Sequence, residues 1–263
     1  MSSAPFHFLS PALPSELLTY ILNHHVYPTT LIICSPRQEF LAALADDVYR
    51  GVAGTEEDIP AEQGAETSPP PDVVSDADRI DQEQARQKQR LLSSPLYQVA
   101  TSRHIRVVYL PTVTHLRAYL SVFSPDESKI PGPPAGFSTS ARYPPHIILY
   151  GFLEMHRDTS EWSAQGIGNS ASTLVELGHR LKWHTVITEP RKHNAIQPFE
   201  DMLKETVPFL SGGGRRVGPD SEEGGWTGRT VEIGRVLKRW FCFQRGEWDA
   251  SSKHEGEHFD DKG

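Results

Sequence analysis

A short apolar run closed on both sides by backbone-breaking residues constrains this chain more than any other feature. Residues 146–149 read His-Ile-Ile-Leu, with Pro145 before them and Gly151 soon after. An unbroken β-branched and aliphatic run of that length suits a strand buried on both faces. Thr173, Leu174, Leu177 and Leu181 then recur at three- and four-residue steps, the spacing of one helix face. Residues 184–188 form a second β-branched run, stopped by Pro190. Strand, helix and strand within 145–190 predict a βαβ unit with parallel strands and a right-handed crossover.

The same alternation continues on either side. Ser15 caps a predicted helix over 15–22, residues 29–35 predict a strand, and 36–49 a helix with Pro36 in its first turn. Residues 105–110 predict a strand and 113–123 a helix. A modest helical pattern follows at 199–207, and 229–243 read as strand, turn and a closing strand at 240–243. Alternating strands and helices predict an α/β fold, a mostly parallel sheet with helices on both faces. Residues 1–14 read as a flexible, proline-punctuated lead-in, and 15–246 as a single α/β domain. About 51–90, 124–143 and 211–228 have the polar, Pro- and Gly-rich composition of disordered insertions, and 247–263 that of a disordered tail.

Composition narrows the function classes. An apolar fraction of 37% with Gly 20 and Pro 21 in 263 residues implies a core well short of the full length. A net charge of -8 excludes a uniformly basic nucleic-acid binder and leaves room for local basic patches. Cys34 and Cys242 each sit in an apolar run and read as buried free thiols, which points to a reducing compartment. No run reaches membrane-spanning length, and the N-terminus lacks a signal-peptide pattern, so an intracellular, soluble protein is expected.

Motifs for chemistry are sparse. The phosphate loop G-x-x-x-x-G-K-[ST] is absent; Gly212-Gly213-Gly214-Arg215-Arg216 follows no strong strand and reads as a flexible loop. His254-Glu255-Gly256-Glu257-His258 matches the H-E-x-x-H zinc pattern, but Gly256 and the polar tail around it provide no helix to align the imidazoles. Glu154, His156 and Asp158, with Arg157 and Glu161, follow the strand at 146–149, where parallel sheets bind ligands, and are the candidate residues of a small hydrolase. Basic residues gather at Arg191-Lys192, Arg215-Arg216 and between Arg235 and Arg239, where a shared edge could contact phosphates.

Residues 146–157, the helix after them and Thr185-Val186-Ile187-Thr188-Glu189 resemble the second half of the RecA-type recombinase core. Residues 105–112 and 237–244 resemble other blocks of divergent recombinase paralogues, in the same order along about half the chain. In that family the first of these strands ends on a magnesium-binding Asp, and here the position is Tyr150, with Glu189 at the sensor position. The resemblance therefore implies a RecA-like subunit without ATPase activity or cofactor, of the kind found in the Shu complex or beside the SWIM-domain recombination factor. It implies a RecA-like paralogue or SWIM-type subunit as partner, weak binding to single-stranded or forked DNA in homologous recombination and double-strand break repair, and a nuclear site of action. Carried over, the DNA-facing residues are Arg157, Arg191, Lys192, Arg215 and Arg216, with no metal site. The alternative of the same type is an ATPase-dead subunit of the Elongator subassembly in tRNA modification, which would act in the cytoplasm.

Overall fold

In the computed structural model, described over residues 6–24, 27–53, 96–127, 130–132, 144–191, 198–210 and 229–251, the run at 146–149 lies in the middle of a parallel sheet. In chain order the elements are β1 (Phe6–Leu9), α1 (Pro14–Asn23), β2 (Thr29–Ile33), α2 (Arg37–Ala53), α3 (Leu96–Ser102) and β3 (Ile105–Tyr109). Then come α4 (Val113–Val122), β4 (His146–Tyr150), α5 (Ala164–Leu181), β5 (His184–Thr188), α6 (Phe199–Lys204) and β6 (Thr206–Pro208). β7 (Thr230–Glu232), α7 (Ile233–Leu237), β8 (Cys242–Gln244) and α8 (Trp248–Ser251) complete the described chain. Six strands form one sheet in the order β3-β2-β4-β5-β1-β8, every pairing parallel. β6 and β7 pair antiparallel as a separate ribbon.

Side-chain alternation along the strands divides the core in two. Ile32 of β2, Ile147 and Leu149 of β4, Ile187 of β5 and Phe6 and Phe8 of β1 face one side. There they meet Leu116 and Leu120 of α4, Ile167 and Leu174 of α5, and Ile233 and Leu237 of α7. Leu31, Ile33, Ile148, Tyr150, Val186 and Leu9 face the other side, against Leu17 and Ile21 of α1, Phe40 of α2 and Trp248 of α8. Every residue of β2 and β4 is buried, which is why both lack an outward polar alternation in sequence. Thr112 and Ser163 cap α4 and α5 by accepting hydrogen bonds from the amides of His115 and Gly166.

The prediction of strands at 29–35, 105–110 and 184–188 and of helices at 15–22, 36–49 and 113–123 agrees with these elements to within a few residues. Several expectations are corrected, among them the end of the helix read at 199–207, where Thr206–Pro208 form β6. The segment 6–9, read as part of a flexible lead-in, is a sheet strand between β5 and β8. Its Phe-His-Phe-Leu run is only four residues long and is flanked by prolines, so its period is too short to stand out. The segment 233–237, read as turn and strand, is helical: Ile233 and Leu237, four residues apart, are both fully buried, and short apolar runs fit either period. The tail after Glu247 begins with the helix α8, because the indole of Trp248 is buried and donates to the Pro11 carbonyl at 3.0 Å. Residues 211–228 and 252–263, and most of 51–90 and 124–143, lie outside the described residues. Cys34 is buried as expected, while Cys242, on the edge strand β8, is exposed. No helix among the described residues is long and apolar enough to cross a membrane.

Two close approaches set the stability of this arrangement. Gly178 lets α5 sit directly on the sheet; a Cβ there would stand 2.5 Å from the Phe6 ring and 2.7 Å from Thr185 Oγ1. At the amino ends of three neighbouring strands, the His184 ring lies between those of His7 and His146, with centroids 4.9 and 4.8 Å away. Burial, and then repulsion from His146 and His7, pushes the His184 imidazole down to about 3.

Gly178→Val should destabilise the protein by about 1–3 kcal/mol, the usual cost of overpacking, measured by urea unfolding. An unchanged midpoint would mean that α5 does not approach the sheet this closely. Because His184 is held neutral in the folded state, its contribution is complete above about pH 6.5 and is lost as pH falls toward about 3. The unfolding free energy of His184→Gln should therefore decline less over that interval than that of the parent protein.

Candidate functional site

The carboxyl ends of β4, β5 and β1 open onto a cleft of about 570 Å³, walled by Leu153, Glu154, Arg157, Glu189, Arg191 and Glu205 among others. Ligands bind at this edge of parallel sheets because strand ends place loops, rather than packed side chains, around an open space. β4 ends on Tyr150, whose hydroxyl donates to the Ala12 carbonyl at 3.0 Å. Gly151 then turns the chain at φ 84°, a conformation that favours glycine, while its amide stays on Thr188 at 3.0 Å. The 3-10 turn Glu154–His156 follows directly.

Glu189, just beyond β5, is the keystone of the floor. It is 4% exposed, and its two carboxylate oxygens accept from the amides of Leu153 at 2.7 Å and Glu154 at 3.2 Å. Burial pushes this carboxyl up to about 8, against the opposing pull of those two hydrogen bonds. The Glu189 side chain thus ties the end of β5 to the turn that follows β4.

The third wall is the turn from β1 into α1, which sequence reasoning did not place here. Its backbone donors are spent within the fold. The amide of Ser10 donates to Gln244 at 3.0 Å and that of Ala12 to Glu189 at 2.9 Å. The amide of Leu13 donates to the Glu16 carboxylate at 2.8 Å and that of Ser15 to the Asp47 carboxylate at 2.9 Å. Pro11 and Pro14 carry no amide hydrogen at all. Two carboxylates therefore occupy the positive end of the α1 dipole, where an external anion would otherwise be attracted. The signal in the sequence was Leu-Pro-Ser-Glu at 13–16, which places an acid in the first turn; Asp47 comes from a distant helix and left no local trace.

The two guanidiniums in the cleft are also engaged. Arg157 makes a bidentate pair with Glu205, both contacts at 2.5 Å, approaches Glu154 at 3.2 Å and lies 4.6 Å from the Trp162 ring centroid. Its pKa is raised, first by the hydrogen bonds to Glu205. Arg191 pairs with Glu16 and lies 3.9 Å from Asp249. Each cation holds two chain segments together, Arg157 across the cleft mouth and Arg191 between β5 and α1. Lys192, Arg215 and Arg216 lie outside the described residues, as do Gly212 to Gly214 and the His254–His258 pattern.

Of the hydrolase candidates, Glu154 and Asp158 line the cleft and His156 does not. His156 is fully buried and turns away from the cleft. Its Nδ1 sits 2.7 Å from the Phe152 carbonyl and its Nε2 2.9 Å from Ser170 Oγ. Ser170 in turn accepts from Arg117 Nε at 2.9 Å, and Arg117 pairs with Glu161 at 2.6 Å. With Nδ1–H donating to the carbonyl, Nε2 accepts the Ser170 hydroxyl proton, so the imidazole is a neutral structural link; burial lowers its pKa accordingly. Asp158 occupies the left-handed region at φ 56° and shapes the turn. Among the described residues no group of His, Cys, Asp or Glu could hold a metal ion.

No family model matches this chain, and no curated protein sequence matches it either.

The elevated Glu189 carboxyl has a measurable sign. Its protonation adds stability that is complete below about pH 4.5 and is lost as pH rises through about 8. Glu189→Gln cannot ionise, so its unfolding free energy should gain on the parent's between pH 4.5 and 8. A pH-independent difference between the two would place Glu189 in water.

Proposed function

We propose that this chain is a non-catalytic subunit with a RecA-type core, acting within a heteromeric complex that assists homologous recombination and double-strand break repair, with modest DNA binding. The observation that carries this reading is the turn between β1 and α1. Its amides are consumed by the backbone carbonyls of Gln244 and Glu189 and the carboxylates of Glu16 and Asp47, and its two prolines offer none. A triphosphate needs a cradle of free backbone donors and a cation, and here carboxylates stand in that place. Tyr150 adds to this: at the end of β4, where the resemblance puts a magnesium-binding Asp, stands a phenol donating to a backbone carbonyl. Glu189 likewise spends its two carboxyl oxygens on the Leu153 and Glu154 amides.

The adjacency of β4 and β5 at the centre of a parallel sheet is compatible with a RecA-type arrangement, since their loops share one edge. With Arg157 and Arg191 neutralised by carboxylates, the cleft itself offers little charge to phosphate. DNA contact in this reading falls to Lys192, Arg215 and Arg216 and to basic residues elsewhere. The protein's role is then assembly, pairing with a RecA-like paralogue or a SWIM-type subunit in the nucleus.

Affinity purification of the tagged chain from cells, with mass spectrometry of what accompanies it, tests the reading. Recombinase paralogues should co-purify, and deletion should sensitise cells to strand breaks. Recovery of Elongator subunits would instead favour the tRNA-modification reading, with the protein in the cytoplasm. Normal break resistance together with no recombination protein recovered would overturn the proposal.

A further inference from the structure

Outside the cleft, three cations cluster on one short helix and the turn after it. Among the described residues Arg50, Arg117, Arg157, Arg180, Arg191 and Arg245 each pair with a carboxylate. Arg235, Lys238 and Arg239 do not; no described carboxylate pairs with any of them. All three are exposed, and their spacing of three and four residues puts them on one side of α7 and the turn after it. The opposite side carries Ile233 and Leu237, fully buried in the core. Like charges at this spacing repel one another.

An aromatic side chain packed partly against the core adjoins them. Trp240 is half-buried, its Cη2 edge positioned over Gly168 of α5, and the Arg239 guanidinium lies 5.4 Å from its ring centroid. A Cβ at Gly168 would make ordinary van der Waals contact with Cη2 at 3.7 Å. The stretch of α5 beneath, from Ala164 to Thr173, contains no charged residue, so no acid on that part of the helix opposes the cations. Cations grouped beside a fixed aromatic ring are the combination that single-stranded nucleic acids bind, charge meeting the backbone and the ring a base.

We infer that the outward side of α7, with Arg235, Lys238, Arg239 and Trp240, is a contact surface for single-stranded nucleic acid. This deepens the function proposed above and rests on its DNA-binding part. It assigns the contact to residues other than the cleft guanidiniums and other than Lys192, Arg215 and Arg216, which lie outside the described residues.

The test is fluorescence anisotropy of the full-length chain, alone and with its co-purified partner, using labelled thymidine and uridine 20-mers over a range of salt concentrations. Each phosphate contact on a single strand contributes about 0.7 to the slope of log affinity against log salt. Replacing Arg235, Lys238 and Arg239 with Gln together should therefore reduce the slope by about 2. Trp240→Leu should weaken binding roughly 5- to 150-fold, the range for loss of one base stack. The Arg235→Lys, Arg239→Lys double variant should keep the parent slope, which separates lost charge from lost folding. A preference for the thymidine or the uridine strand identifies the natural ligand as DNA or RNA.

If the slope falls only when Lys192, Arg215 and Arg216 are replaced, the α7 surface is refuted while the proposed function stands. Equal binding to duplex, with no effect of Trp240→Leu, also refutes a single-strand contact. If the parent chain binds neither oligonucleotide with or without its partner, the DNA-binding reading falls, and this inference with it.

Discussion

Burial of β2 and β4 on both faces governs the rest of the molecule. A strand with no solvent face needs helices on both sides, and α1 and α2 supply one layer while α4, α5 and α7 supply the other. Once these strands are central, their carboxyl ends face a common edge, and the loops leaving β4, β5 and β1 must share it. The cleft, the buried Glu189 and the packed turn into α1 all follow from that shared edge. The helices pack closely where small residues permit, as at Gly178, and the position of α7 follows from its two buried aliphatic residues.

Much of the hydrogen-bonding capacity around this cleft is met by the chain itself. Carboxylates reach the start of α1, backbone amides close onto Glu189, and Arg157 and Arg191 link segments that sequence leaves far apart. Such cross-links fix the geometry of the loops at this edge.

Long apolar runs with clean periods were legible in the sequence. β4, α5 and β5 follow from their spacing because eighteen helical residues and two five-residue strands carry enough pattern to identify themselves. β1 escaped notice because four residues between prolines give only two inward aromatics. α7 was read as turn and strand because Ile233, Val236 and Leu237 fit either period over five residues. At the site, Tyr150, Glu189, Arg157 and Arg191 could be placed from their positions after the strands. Their partners could not: Glu205 lies 48 residues from Arg157, and Glu16 lies 175 from Arg191. His156 looked like a candidate base in sequence, and only its burial against Phe152 and Ser170 shows it to be structural.

Calorimetric titration of the purified full-length chain with magnesium-ATP, combined with amide hydrogen exchange, probes the central claim most directly. The account predicts no saturable heat, and amides of Ala12, Leu13 and Ser15 that are protected before nucleotide is added and unchanged afterwards. Stoichiometric, magnesium-dependent binding with new protection at those amides would contradict it.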